Sequence, residues 1–330
     1  MKKGFLRIIP LVTVLFMLGS TLPDGFCAAA EKYPSRPIDF MCFFAPGGMM
    51  DLLGRALGKG MEKHLGTSVV PVYKAGGGGV VGMMALINTR PDGYTMGATG
   101  LQFITAKVFG QANYSFEDLR VVGQFGSFSL VLGVSADSPW KTIQEFVDHA
   151  RKNPGVRYAH PGVGSAGHTR MENLSKLMNL GLIGVPFNGD AETIPAVLGK
   201  HVPIAICSAF AVRSQADQGK MRILLSFEPP AEIGFPPAIP DISTAFGQSI
   251  ADKDIEQILI VLAPGKTPPE IVRVLEQALE KAIMDPEYVK VMKQFNIRGY
   301  FVDGNTFTQQ RLPKLLSRVE AIKQDLGLSK

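Results

Sequence analysis

The chain has 330 residues, of which 46% are hydrophobic and 19% charged, with a formal net charge of +5 and three cysteines. Its lysines and arginines are scattered with no basic block, which excludes a nucleic-acid face, and three cysteines are too few for a disulfide scaffold. The length suits two domains of ordinary size.

Lys2, Lys3 and Arg7 precede an apolar run over 8–18 that contains Pro10. That run falls short of the roughly 20 residues a bilayer span needs. Ala28, Ala29 and Ala30 supply the small residues of a cleavage site, so residues 1–30 are expected to be a signal peptide cut near Ala30, and the mature protein to be exported. Bulky Phe26 before Cys27 argues against lipidation. Loss of Lys2, Lys3, Arg7 and Asp24 lowers the charge from +5 to about +3. Cys42 and Cys207 remain, read as buried apolar residues, with a bridge between them left open.

The mature chain alternates strands and helices. Residues 38–44 form a nearly continuous apolar run, as in a buried parallel strand. Ala45-Pro46-Gly47-Gly48 follows, then Leu53, Ala56, Leu57 and Met61 at helical spacing, with Gly66 as a stop. A strand over 69–73, a glycine run, a helix over 80–88, a Pro91-Asp92-Gly93 turn and a strand over 94–98 complete one doubly wound α/β unit. A second unit reads as strand 130–134, a helix opened by Ser138-Pro139-Trp140, strand 156–159, a second glycine loop and a helix from about 169 to 178. Strand 184–187, helix 191–198, strand 202–207 and strand 221–227 follow. Five prolines within 228–240 mark a long connection, then come strand 258–263, helix 271–284 and a C-terminal helix around 307–326. The expected fold is therefore two doubly wound α/β lobes with a hinge and an interlobe cleft. Residues 31–129 plus about 228–330 form lobe 1, and 130–227 form lobe 2.

The glycine loops allow three readings. Gly77, Gly79 and Gly82 fit G-x-G-x-x-G, and Gly162, Gly164 and Gly167 repeat it. A dinucleotide site also needs an acidic residue after the next strand. Thr99 and Gly100 stand there in the first unit, and only Asp190, beyond Asn188 and Gly189, in the second. A hydrolase would use Ser165 with one of His160, His168 or His201, yet Val163 fills the first glycine position of a nucleophile elbow. Ser165 reads better as a helix cap. The third reading is anion binding: loops at 46–50, 76–79 and 162–166 follow strands and open helices, where bare N–H groups and helix dipoles attract oxyanions.

The segment YPSRPIDFMCFFAPGGMMDLLGRALGKGMEKHLGTSVVPVYKAGGGGVVG, together with PDGYTM, GVGSAGHTRMENL, VPFNGDAETIPAVLGKHV and LAPGKTPPEIVRVLEQAL, resembles the Bug-type substrate-binding proteins of tripartite tricarboxylate transporters. The resemblance spans nearly the whole mature chain. It implies a periplasmic-binding-protein fold of type II kind whose two lobes close on a small carboxylate, with no cofactor, no metal and no catalysis. Carried over, the site falls on Pro46, Gly47, Gly48, Met49, Met50 and Asp51, on Gly77, Gly78 and Gly79, and on Gly164, Ser165, Ala166 and His168, with Cys207 and Ser208 at the end of a later strand. The expected partners are the transporter's membrane subunits, the expected state a monomer in the periplasm, and the alternative role a sensor for a signalling partner. Met49-Met50 follows the glycines where small or hydroxyl residues are usual, and Cys207 replaces a commoner aspartate. Both departures favour an apolar or aromatic carboxylate over citrate or an amino acid.

Overall fold

In the first sheet, β1 (Ile38–Cys42) pairs in parallel with β2 (Val69–Tyr73) and with β3 (Thr95–Thr99). This is a computed structural model that describes residues 32–251, 254–294 and 297–325. The expected signal peptide and its cleavage site lie outside the described residues. Helix α1 (Met49–Leu65) joins β1 to β2, and α2 (Val80–Ile87) joins β2 to β3. Leu53, Leu57, Met61 and Leu65 of α1 are buried at helical spacing, as the periodicity predicts. Gly54 and Gly58 let the helix lie close on the sheet, since a β-carbon at Gly54 would come within 2.9 Å of the Phe40 ring. Gly66 takes a left-handed φ of 70° and donates its N–H to the Glu62 carbonyl, ending the helix.

After β3 come α3 (Gln102–Val108) and β4 (Leu119–Ser127), neither expected from the sequence. In the second sheet, β5 (Leu130–Ser135), β6 (Arg157–His160), β7 (Ile183–Pro186), β8 (Ile204–Ser208) and β9 (Met221–Ser226) lie in the order β7-β6-β8-β5-β9. Helices α4 (Ile143–Lys152), α5 (Ala166–Leu177), α6 (Asp190–Leu198) and α7 (Ala209–Asp217) connect them. The chain then returns to the first sheet with β10 (Ile258–Pro264) and β11 (Val302–Asp303), giving the order β11-β4-β10-β3-β1-β2.

The sheets are mixed rather than wholly parallel. β10 runs antiparallel to both β3 and β4, and β5 antiparallel to both β8 and β9. Strand β10 arrives from the other sheet and so enters its own sheet from the opposite end. Its seven residues are all buried, and an apolar run of that kind carries no direction.

Two stretches of chain pass between the sheets, one between β4 and β5 and one between β9 and β10. They are hydrogen-bonded side by side, the Phe128 N–H donating to the Gln257 carbonyl at 3.1 Å. Arg170 of α5 is buried against the second stretch, 2.8 Å from Glu228 and 2.6 Å from Asp254, with its guanidinium over the Phe227 ring. Burial pushes the Asp254 carboxyl up to about 6, with Arg170 opposing the shift. The helix Leu312–Asp325 sends Leu315, Val319 and Ile322 into the core of the first sheet, beside Phe103 and Ile104.

Candidate functional site

The first anion-binding candidate is the start of α1. Its N-cap, Gly48, has no side chain to offer, and the N–H groups of Met49 and Met50 have no backbone acceptor among the described residues. Asp51 holds the loop from behind: its carboxylate accepts from the Gly47 N–H at 2.8 Å, from the Tyr73 hydroxyl at 2.7 Å and from Arg55 Nε at 2.7 Å. Burial alone would raise its pKa, but these donors outweigh it and hold the carboxyl below its ordinary value.

The second candidate is the start of α5. Ser165 is its N-cap, and Oγ accepts from the His168 N–H at 3.3 Å, as the sequence predicts. The N–H groups of Ala166 and Gly167 have no backbone acceptor. His168 braces the loop, its Nδ1 accepting from the Gly164 N–H at 3.1 Å, and its ring lies 4.5 Å from that of His160. Burial pushes His160 down to about 3, with His168 adding to the shift; burial also lowers His168, against Glu172. No imidazole is hydrogen-bonded to the Ser165 hydroxyl among the described residues, where the hydroxyl serves as a helix cap.

The glycine runs meet one another. A β-carbon on Gly78, at φ 65°, would lie 2.3 Å from the Val163 carbonyl oxygen, and one on Gly162 would lie 2.5 Å from the Gly78 Cα. The backbones of the two loops are in contact across the cleft. The backbone of Val163 fills the space over Gly78 that a pyrophosphate would need. Thr105 Oγ1 donates to the Gly164 carbonyl at 2.5 Å and the Ala45 N–H to the Asn188 carbonyl at 3.3 Å, two further ties between the halves.

Behind these contacts lies a partly open cavity of about 50 Å³, as traced by the centre of a water-sized sphere. Phe44, Met49, Met50, Phe128, Leu130 and Pro161 give it apolar walls, and no Lys or Arg lines it. Its polar lining comes from Gly48, Ser165, Ala166, Gly167, Gly189, Gln102 and Asp190. Gln102 is only 4% exposed, and its amide has no hydrogen-bond partner among the described residues. The starts of α1, α5 and α6 thus converge on one small space. The open ends of α1 and α5 each offer an anion roughly 0.3–1 kcal/mol, and up to about 2 when partly buried, while the first turn of α6 already carries Asp190.

Of the residues carried over from the family, Gly48, Met49, Met50, Ser165 and Ala166 line the cavity. Pro46 belongs to the loop before α1, and Gly47 lines a neighbouring outer groove. Asp51, Gly164 and His168 shape loops; Gly78 meets the Gly162–Val163 backbone, Gly77 backs onto Val80 and Val81, and Gly79 backs Phe44 and Gln102. Cys207 points into the core beside Val131, Ala159 and Ile194. Cys42 and Cys207 are both free and buried; burial pushes the Cys42 thiol up to about 12 and raises Cys207 too. Ser208 caps α7 and ties Asp190, donating from Oγ at 2.5 Å and from its N–H at 3.3 Å. Gln102, Phe128 and Asp190 were not expected in the site. Gln102 and Phe128 lie in a stretch whose elements the periodicity does not reveal.

This two-lobed α/β structure, with a site at the helix starts facing an interlobe cleft, is that of a periplasmic binding protein. The tripartite tricarboxylate transporter family receptor profile matches residues 53–328, and the chain belongs to that family. A relative in Cupriavidus necator, "UPF0065 protein in gbd 5'region", is 30% identical over 307 residues, covering 92% of this chain and 91% of its own. The periplasmic binding protein BugD has a similar structure, with a TM-score of 0.83 at 23% identity, covering 90% of this chain and 100% of its own. So has Rpa4515 of R. palustris, solved with adipate, with a TM-score of 0.81 at 20% identity over 89% of this chain and 98% of its own. At such identities the structural likeness is one of fold. No helix among the described residues is long and apolar enough to cross a membrane.

Proposed function

We propose that this protein is an exported periplasmic receptor that takes a small carboxylate between the starts of α1 and α5 and delivers it to the membrane subunits of a tripartite transporter. One observation carries the reading: two helix ends with unbonded N–H groups, joined by the Ser165 hydroxyl, face a small, largely apolar cavity that no Lys or Arg lines among the described residues. Backbone N–H groups can hold a carboxylate there without a full counter-charge. Family membership and the adipate held by a protein of the same fold support the same reading.

The working motion is closure. With the two crossing segments as hinge, a ligand that touches both halves favours the arrangement in which Gly78 and Gly162 meet, and so shifts the open–closed equilibrium. The apolar walls at Met49, Met50, Phe44 and Phe128 favour a ligand with an apolar body.

A thermal-shift screen of mono-, di- and tricarboxylates tests this, because a ligand bound only by the folded state raises Tm with concentration. Apolar acids are expected to stabilise the protein more than citrate does. A protein stabilised by citrate alone rules out the reading of the walls, and one indifferent to every carboxylate rules out the site.

A further inference from the structure

Cys207, where a carboxylate would receive a ligand amine, argues against an amino acid. The structure supplies a carboxylate from another element. Asp190, the first residue of α6, lines the cavity and is 9% exposed. Its carboxylate is held by a single residue, Ser208, through the hydroxyl and the backbone N–H. No cation stands within ion-pair distance of it among the described residues. Arg213 lines the outer groove that Asp190 also reaches, but its guanidinium is bonded to Asp217 and to the Gly234 carbonyl. Burial disfavours the charged form, and the Asp190 carboxyl is raised accordingly.

Buried carboxylates are ordinarily paired. The cavity therefore has two poles, unbonded N–H groups at the starts of α1 and α5, and a buried carboxyl group at the start of α6 that is held by Ser208 with no cation beside it among the described residues. A ligand carrying only a carboxylate would force Asp190 to take up a proton or to face a like charge in one small, largely apolar space. A ligand carrying a carboxylate and an ammonium would satisfy both poles.

Resting on the carboxylate reading above, we infer that the cavity takes a small zwitterion, an amino acid with an apolar side chain, whose carboxylate meets the ends of α1 and α5 and whose ammonium meets Asp190. Phe44, Phe128 and Leu130 accept the side chain. The Gln102 amide, with a donor and an acceptor and no protein partner, is free to serve either polar group.

Calorimetric titration of the wild-type protein with matched pairs tests this: alanine against propionate, valine against isovalerate, leucine against isocaproate. Each pair differs by the amine alone. The amino acid is expected to bind at least tenfold more tightly than its deaminated partner in the best pair. Asp190→Asn is expected to remove that preference, weakening the amino acid at least tenfold and leaving the plain acid unchanged or tighter. If the plain acids bind as well as the amino acids, the inference falls and the carboxylate receptor stands. If isobutylamine binds as well as valine, the carboxylate reading falls instead. If no acid of either kind binds, both fall. The wild-type pairs decide the matter even if Asp190→Asn does not fold.

Discussion

Asp51 and Asp190 both sit in the first turn of a helix, both are buried, and both lie beside the cleft, yet their surroundings differ in kind. Asp51 receives a backbone N–H, a tyrosine hydroxyl and an arginine, and its carboxyl is held below the ordinary range. Asp190 receives only Ser208, and its carboxyl is raised. Asp254 lies between them, buried and raised to about 6, but with Arg170 at 2.6 Å. A carboxylate with donors on every side fastens a loop. One left short of donors beside a cavity is poised for a ligand. Substitutions that change one partner at a time test that division.

The largest effect is expected at Arg170. Arg170→Met leaves Glu228 and Asp254 facing each other in the crossing segment without their cation. Removing one partner of a buried pair costs about 3–5 kcal/mol, to be read from urea unfolding at pH 7. Asp254 has a folded pKa above its unfolded value, so its contribution favours folding below the unfolded value and is lost as pH rises through about 6. Acidification to about pH 5 should therefore return part of the loss, and a loss that does not depend on pH would separate Asp254 from this set.

Asp51 comes next. Asp51→Ala removes the acceptor of the Gly47 N–H and of Tyr73 and leaves Arg55 without its carboxylate. A destabilisation of about 1–2 kcal/mol is expected from the lost bonds to a charged acceptor, moderated because the donors at Gly47, Tyr73 and Arg55 are exposed or half-exposed and water can replace the carboxylate. Ligand binding should weaken too, because the loop before α1 loses its anchor. Ser165→Ala is smaller. It removes an N-cap, typically worth about 1 kcal/mol, and a hydroxyl that faces the cavity, so carboxylate affinity measured by calorimetry should fall roughly five- to tenfold. Affinity unchanged with stability lowered would confine Ser165 to capping.

How much of this could be read from sequence follows the range of the interactions. Helix α1 announces itself through Leu53, Leu57 and Met61, and Ser165 through the glycines before it, because both signals lie within a few residues. The signals in the region 101–129 are weak. Helix α3 starts at Gln102 with no side-chain cap, and β4 is broken by Gly123, Gln124 and Gly126. That region nonetheless supplies Gln102 and Phe128 to the cavity and Thr105 to the closed loops. Cys207 was expected to face the ligand and instead packs inward, while Ser208, next along β8, turns to Asp190. Which side of a strand faces the cleft depends on its register with distant neighbours, and no local pattern records it.

The smallest effect is expected at Asp190, and its sign is opposite to that at Asp51. Asp190→Asn removes a buried charge that has no cation, keeps the shape of the side chain, and leaves an amide that can still bond Ser208. The folded pKa of Asp190 lies above its unfolded value, so the carboxyl favours folding below that unfolded value and opposes it as pH rises through the folded one. Wild type and variant should therefore unfold alike near pH 3.5, and by pH 7 the variant should be equally or more stable. Saturating ligand should invert that order, because the wild-type carboxylate then gains the partner it lacks in the empty cavity. If Asp190→Asn instead destabilises the ligand-free protein as much as Asp51→Ala does, the Ser208 contacts alone make Asp190 a fastener, and the two aspartates do the same work.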